Sequence, residues 1–180
     1  RMAIPYCLID RVTEEGTYLR KSDRHFDDLN IEIINDRVLS VSAGEGSVAL
    51  GSGTTISYDR LLVATGSTPI SPPIEGMDLP GVYPCWTLAD YRNIAARADK
   101  GAKVVLMGAG FIGSIILEAL AARGVDLTVV ELENRMVPRM MNEASGGLIK
   151  RWCEQRGVRV LTSTRVDGIS SGNPLAVSLS

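Results

Sequence analysis

Between Lys103 and Glu131 the order of residues leaves little freedom of fold. Lys103–Met107 is a short apolar run of the kind found in a parallel sheet covered on both faces, and a place at the centre of such a sheet is expected. It runs directly into Gly108-Ala109-Gly110-Phe111-Ile112-Gly113, which reads G-x-G-x-x-G. Residues 112–123 then carry helical spacing, and Gly124 follows where a left-handed residue ends a helix. Leu127–Val130 is the next apolar strand, and Glu131 stands at its end. A glycine pattern alone is a weak signal. Strand, glycine turn, helix, strand and terminal acid together are the context in which it denotes a dinucleotide-binding βαβ unit.

Each position has a physical task. Gly108 permits the sharp turn out of the strand, Gly110 lets backbone approach a pyrophosphate, and Gly113 lets helix and strand pack closely. The backbone of Ala109, Phe111 and Ile112 belongs to the same cradle, since a helix start offers unpaired N–H groups and partial positive charge. Glu131 is placed to accept hydrogen bonds from ribose hydroxyls and to repel a 2′-phosphate, which favours NADH over NADPH. Arg135 lies near enough in sequence to join the NAD site and to soften that repulsion. On these residues alone FAD could take the place of NAD, and a turn shaped by glycines with no ligand is a third reading.

The pattern continues with a helix over 142–156, bearing Leu148, Ile149, Trp152 and Cys153 on one face, and a strand over 158–161. This alternation defines the fold class as α/β, a Rossmann-like parallel sheet covered by helices. Trp152 is expected in the core, and Met136, Met140 and Met141 beneath the sheet edge. Upstream the texture differs. A short helix is expected near 24–29, strands at 31–34, 37–42, 47–50 and 54–57 separated by glycine turns as an antiparallel meander, and a buried strand at 61–64 ending in Thr65-Gly66. A proline-rich connector follows, then a helix over 87–98 with Thr87 as N-cap. We place the domain boundary at 99/100, with residues 1–99 as one segment and 100–180 as the nucleotide-binding domain, truncated at its C-terminus.

Composition excludes several functions. A net charge of −2 gives no broad basic field for nucleic acid or an anionic membrane. No apolar run is long enough to span a bilayer. Three scattered cysteines and one histidine offer neither a disulfide framework nor a metal site, and a cytoplasmic, reducing location is expected. No residue presents itself as a catalytic acid, base or nucleophile. The chain opens at Arg1 and stops within an apolar alternation, which reads as part of a longer protein.

Two segments in this order resemble a known family. Tyr58-Asp59-Arg60-Leu61-Leu62-Val63-Ala64-Thr65-Gly66 is similar to the Y-D-x-L-h-h-A-T-G stretch, with h apolar, of the pyridine nucleotide–disulfide oxidoreductase superfamily, and Val104–Glu131 resembles that family's NAD(P)H fingerprint. The resemblance implies that residues 1–99 are part of an FAD-binding domain. Arg1, Val38 (through its backbone), Thr65 and Gly66 would then lie beside FAD. It implies NAD rather than FAD at the later glycine turn. The opening Arg1–Tyr6 resembles a segment that reads C-G-h-P-Y in thiol-active members, where Met2 takes the cysteine position. That points to the branch passing electrons from FAD to a separate carrier, as in rubredoxin reductases and nitrite reductase flavin modules, and leaves Cys7 an ordinary buried thiol. Relatives often carry a glutamate two residues after the third glycine, where this chain has Ile115. The family's first FAD fingerprint is absent, as is its later G-D motif, so these residues alone are expected to be free of FAD. The function implied is an FAD-dependent oxidoreductase that takes hydride from NADH and passes electrons to an acceptor protein or centre. The alternative is a non-catalytic NAD(H)-binding sensor or regulatory module.

Overall fold

A computed structural model describes residues 3–180. The chain forms, in order, α1 (Ile4–Leu8), a 3-10 turn (Glu15–Thr17), α2 (His25–Asp28), β1 (Val38–Ser42), β2 (Ser47–Leu50), β3 (Thr55–Ser57), α3 (Leu88–Ala95), β4 (Lys103–Met107), α4 (Phe111–Ala122), β5 (Asp126–Val130), α5 (Glu143–Glu154), β6 (Arg159–Leu161), β7 (Val166–Ser170) and β8 (Ala176–Leu179). They gather into two compact units. The smaller spans Tyr18–Ser67, and the larger joins the residues up to Thr17 with Thr68–Ser180.

The smaller unit is the expected meander. Its sheet has the order β1-β2-β3, antiparallel throughout, with Val48 paired to both Val41 and Ile56. Two expected strands are absent from it. Residues 31–34 join no strand ladder, and their isoleucines are exposed. The run Leu61–Ala64, with Thr65 and Gly66 after it, also forms no strand, and Leu62 and Val63 are 87% and 68% exposed. Apolar alternation expresses a demand for a covered face and a paired edge. No described strand pairs with either segment, so that demand is unmet and the backbone has no ladder to join.

The larger unit is the expected α/β domain. A parallel sheet of order β4-β5-β6 places Val104 beside Leu127 and Val129 beside Val160. Among the described residues β5, not β4, holds the centre, and Val105 of β4 is accordingly exposed. The core gathers Ile116, Leu117 and Leu120 of α4 with Leu127 and Val129 of β5, Cys153 of α5 and Val160 of β6. α1 adds Ile4 and Leu8 against Ala119 of α4. α3 starts at a capping box in which Thr87 accepts from the Asp90 N–H and Asp90 accepts from the Thr87 N–H. Asn142 caps α5 with its side-chain oxygen, which accepts from the Ser145 N–H.

Two packing expectations need correction. Trp152 is 44% exposed and lies under the Arg156 guanidinium at 3.8 Å, and Leu148 on the same helix is exposed as well. Only Cys153 of that face is fully buried, because α5 covers the unit along a narrow line whose buried residues are Gly146 and Cys153. Met136 is buried, whereas Met140 and Met141 are exposed. The β7–β8 hairpin was not anticipated at all, although the terminal alternation at Ala176–Leu179 is its second strand.

Candidate dinucleotide-binding site

The glycine turn lies at the C-terminal edge of the parallel sheet, as its position after β4 requires. Gly108 adopts φ +92°, a left-handed conformation that a side chain would resist. Its N–H donates to the Val130 carbonyl at 2.8 Å, which extends the β4–β5 ladder into the turn. A Cβ on Gly113 would stand 2.1 Å from the Gly108 carbonyl oxygen, so the helix approaches the turn as closely as backbone allows. A Cβ on Gly110 would meet nothing within 4 Å. What glycine leaves free there is outward space, of the kind a ligand uses. Gly110 is also the N-cap of α4 and supplies no side-chain cap. The first intrahelical bond runs from the Ser114 N–H to the Gly110 carbonyl. The N–H groups of Phe111, Ile112 and Gly113 therefore have no intrahelical acceptor and face the turn with the positive end of the helix dipole.

Ala109, fully buried, is held from two sides. Its N–H donates to Glu131 Oε2 at 2.7 Å. Its carbonyl accepts from the Val137 N–H at 2.8 Å. Glu131 is 7% exposed, and its other oxygen, Oε1, accepts from the Glu133 N–H at 2.9 Å. The acid at the strand end is thus more than a free acceptor. It ties the glycine turn to the segment after β5. Each carboxylate oxygen keeps a second lone pair, which leaves two acceptor sites for further donors. The backbone of Glu131 donates to the Leu161 carbonyl and accepts from the Thr164 N–H, which closes the β6 side.

Arg135 is committed to its own loop. Its guanidinium donates to the Met141 carbonyl at 2.8 Å, the Asn134 side-chain oxygen at 2.7 Å and the Pro138 carbonyl at 3.0 Å. Glu133 is exposed, as expected, and so is Glu118, while Ile115 is partly buried in α4. The bond from Val137 is the site feature that sequence reasoning missed. It is made by a backbone N–H, and no residue type announces that.

Of the residues expected beside FAD, Val38, Thr65 and Gly66 belong to the smaller unit. Val38 opens β1 opposite Leu50, and Thr65 and Gly66 are exposed in the segment without regular secondary structure that closes the smaller unit. Arg1, like Met2, lies outside the described residues.

Burial disfavours the thiolate form of all three cysteines. Burial pushes the Cys85 thiol up to about 11, with the nearby Asp90 carboxylate adding to the effect. Burial raises Cys7 and Cys153 as well. Alkylation of Cys85 by iodoacetamide at pH 8 should run on the order of 100-fold slower than that of a free cysteine, whose thiolate forms near pH 8.5. The rate should still be climbing at pH 9.5. A plateau by pH 9.5 would show a thiol of ordinary acidity. Among the described residues no group of His, Cys, Asp and Glu could hold a metal, and no helix is long and apolar enough to cross a membrane.

Comparison with known proteins agrees with this geometry. Residues 4–180 match the family model described as pyridine nucleotide-disulphide oxidoreductase. An NADH oxidase of Methanocaldococcus jannaschii is 29% identical over 93% of this chain and 39% of its own length. A rubredoxin–NAD(+) reductase of Pseudomonas putida is 28% identical over 89% of this chain and 42% of its own. Among solved structures, a ferredoxin reductase from Rhodopseudomonas palustris superposes on the whole chain with a TM-score of 0.86 at 27% identity, and the chain covers 45% of it. The chain thus spans about two fifths of the length of these curated relatives.

Proposed function

This chain belongs to the pyridine nucleotide–disulphide oxidoreductase family, and we propose that its larger unit binds NADH for hydride transfer to FAD in an electron-transferring flavoenzyme. The observation that carries the reading is the glycine turn itself. Gly110 opens onto free space beside three N–H groups at the start of α4, and the buried Glu131 carboxylate stands at the end of the adjacent strand.

In this reading the pyrophosphate sits on the backbone of Gly108–Gly113, with Ala109, Phe111 and Ile112 contributing no side-chain chemistry. The remaining lone pairs of Glu131 accept from the adenosine ribose hydroxyls. A 2′-phosphate would meet that buried carboxylate, and the nearby Arg135 guanidinium is already taken up by Asn134, Pro138 and Met141. A flavin held beside this unit would supply the redox chemistry that takes up the hydride. The residues of this chain bind and orient, and none needs to move a proton. Val38, Thr65 and Gly66, with Arg1, remain the proposed contribution to the FAD side. The exposed apolar segments 31–34 and 61–63 would be covered by the remainder of an FAD-binding domain. The functional boundary at 99/100 belongs to the same proposal, as do a separate electron-acceptor protein and a cytoplasmic location. A non-catalytic sensor has no observation in its favour, since the relatives named above are all oxidoreductases.

Calorimetric titration of the chain with NADH and with NADPH tests the reading. NADH should bind at least ~10-fold more tightly, about 1.4 kcal/mol. Glu131→Ala should weaken NADH by about 10- to 100-fold, the worth of one to two charge-assisted hydrogen bonds. It should bring no gain for NADPH, because the same change frees the turn that both cofactors use. Equal affinity of the unaltered chain for the two cofactors, or no binding of either, would overturn it.

A further inference from the structure

The segment after β5 has features that the cofactor reading does not require. Val137 is buried and β-branched, yet it adopts φ +51°. Residues of this type almost never take up left-handed backbone, because the branched Cβ crowds the carbonyl, and where they do the surrounding structure imposes it. Here the imposing contacts are all visible. The Arg135 guanidinium spans the loop, from Asn134 to Pro138 and Met141. The Val137 carbonyl accepts from the Met140 and Met141 N–H groups, both at 3.0 Å. α5 presses on the loop from behind: a Cβ on Gly146 would stand 2.7 Å from the Met136 carbonyl oxygen and 2.9 Å from the Arg135 Cβ. The product of this strain is one hydrogen bond, from the Val137 N–H to the Ala109 carbonyl.

We propose that the loop Arg135–Met141, seated on Gly146, is a positioning element of the dinucleotide site, and that Val137 is its positioning residue. The proposal rests on the NADH reading for its ligand. The loop acts through Ala109. With the Ala109 carbonyl fixed by Val137 and its N–H fixed by Glu131, the peptide planes on either side of that residue cannot rotate. The N–H groups from Gly110 to Gly113 are then aimed before the pyrophosphate arrives, and binding does not have to order them. Arg135 accordingly contributes to affinity by bracing the loop rather than by contact with the cofactor.

Two adjacent glycines of α5 allow a clean test. Gly146→Ala drives a methyl group into the loop backbone, whereas a Cβ on Gly147 meets only the flexible end of Arg151 at 3.7 Å. NADH affinity and amide hydrogen exchange at Ala109 are measured for both, with Val137→Asn as a third variant. Asparagine tolerates left-handed backbone and keeps the N–H. The expected result is a loss of NADH affinity of about 10-fold and faster exchange at Ala109 in Gly146→Ala, with Gly147→Ala unchanged. Val137→Asn should lose thermal stability, because it buries an amide, and lose less NADH affinity than Gly146→Ala, because the N–H that braces Ala109 stays in place. Affinity that falls in step with stability in Val137→Asn would show a side-chain packing role and overturn the proposal. So would Gly146→Ala that folds and binds like the unaltered chain. If the unaltered chain binds no NADH but exchange at Ala109 still responds to Gly146→Ala alone, the cofactor reading fails and the coupling of loop to turn stands.

Discussion

Gly113→Ala should abolish NADH binding and lower stability by about 3 kcal/mol, the upper end of what overpacking costs. Two effects of opposite sign meet at this position. Gly113 lies within α4, where alanine is intrinsically the better helix former by about 1 kcal/mol. Against that stands the added methyl, 2.1 Å from the Gly108 carbonyl oxygen. The atom it strikes is backbone, and that backbone is itself anchored, because the Gly108 N–H is bonded to Val130 and Ala109 is held by Glu131 and Val137. No flexible side-chain end can yield. Either α4 withdraws from the sheet, uncovering Ile116, Leu117 and Leu120, or the turn opens and the N–H groups lose their common aim. Urea unfolding midpoints and NADH titration read the two consequences separately. Affinity within threefold of the unaltered chain would mean that the close approach of helix and turn is dispensable.

Much of this site is legible in the sequence, and the reason is local. The tasks of Gly108, Gly110 and Gly113 follow from backbone geometry at fixed spacing, and β4, α4 and β5 follow from apolar runs that are unambiguous in length. Glu131 is found by its place at a strand end. Its structural duty is not, because the bond to the Ala109 N–H depends on how two loops meet. Val137 is less legible still: its residue type argues against the conformation it adopts. Leu61–Ala64 shows the converse failure. The run is as apolar as a buried strand should be, and it forms none, since a strand is defined by partners that no single segment encodes. Trp152 fails for a third reason. Helical spacing identifies a face but not its width, and α5 buries only the line through Gly146 and Cys153.

Arg123 shows how far a single side chain can escape sequence reading and still govern the fold. It caps α4 at the end opposite the glycine turn, and Gly124 after it takes φ +75°. Its guanidinium donates to the Ala98 carbonyl at 2.7 Å, the Leu8 carbonyl at 2.8 Å and the Ala95 carbonyl at 3.0 Å. These are the carbonyl-rich ends of α1 and α3, where a cation is favoured twice, by direct hydrogen bonding and by the helix dipoles. Asp99 stands 3.8 Å away but is largely exposed, so that ion pair adds little. Arg123→Met keeps the apolar stem and removes all three donors. Charge-assisted bonds are worth roughly 1.5–3 kcal/mol each, but carbonyls that are only partly buried recover water, so a net loss of about 3 kcal/mol is expected. The loss should be uneven. Hydrogen exchange should rise first in α1 and α3, which have Arg123 as a shared tie to α4, and last in β4, β5 and β6. Arg123→Lys should recover less than half, because an ammonium group cannot span three carbonyls in one plane. NADH affinity should hold within about threefold in both variants, since the cradle lies at the far end of α4 and is fixed there by Glu131 and Val137. A uniform rise in exchange across the sheet would show that Arg123 supports the whole domain rather than the seat of its two N-terminal helices.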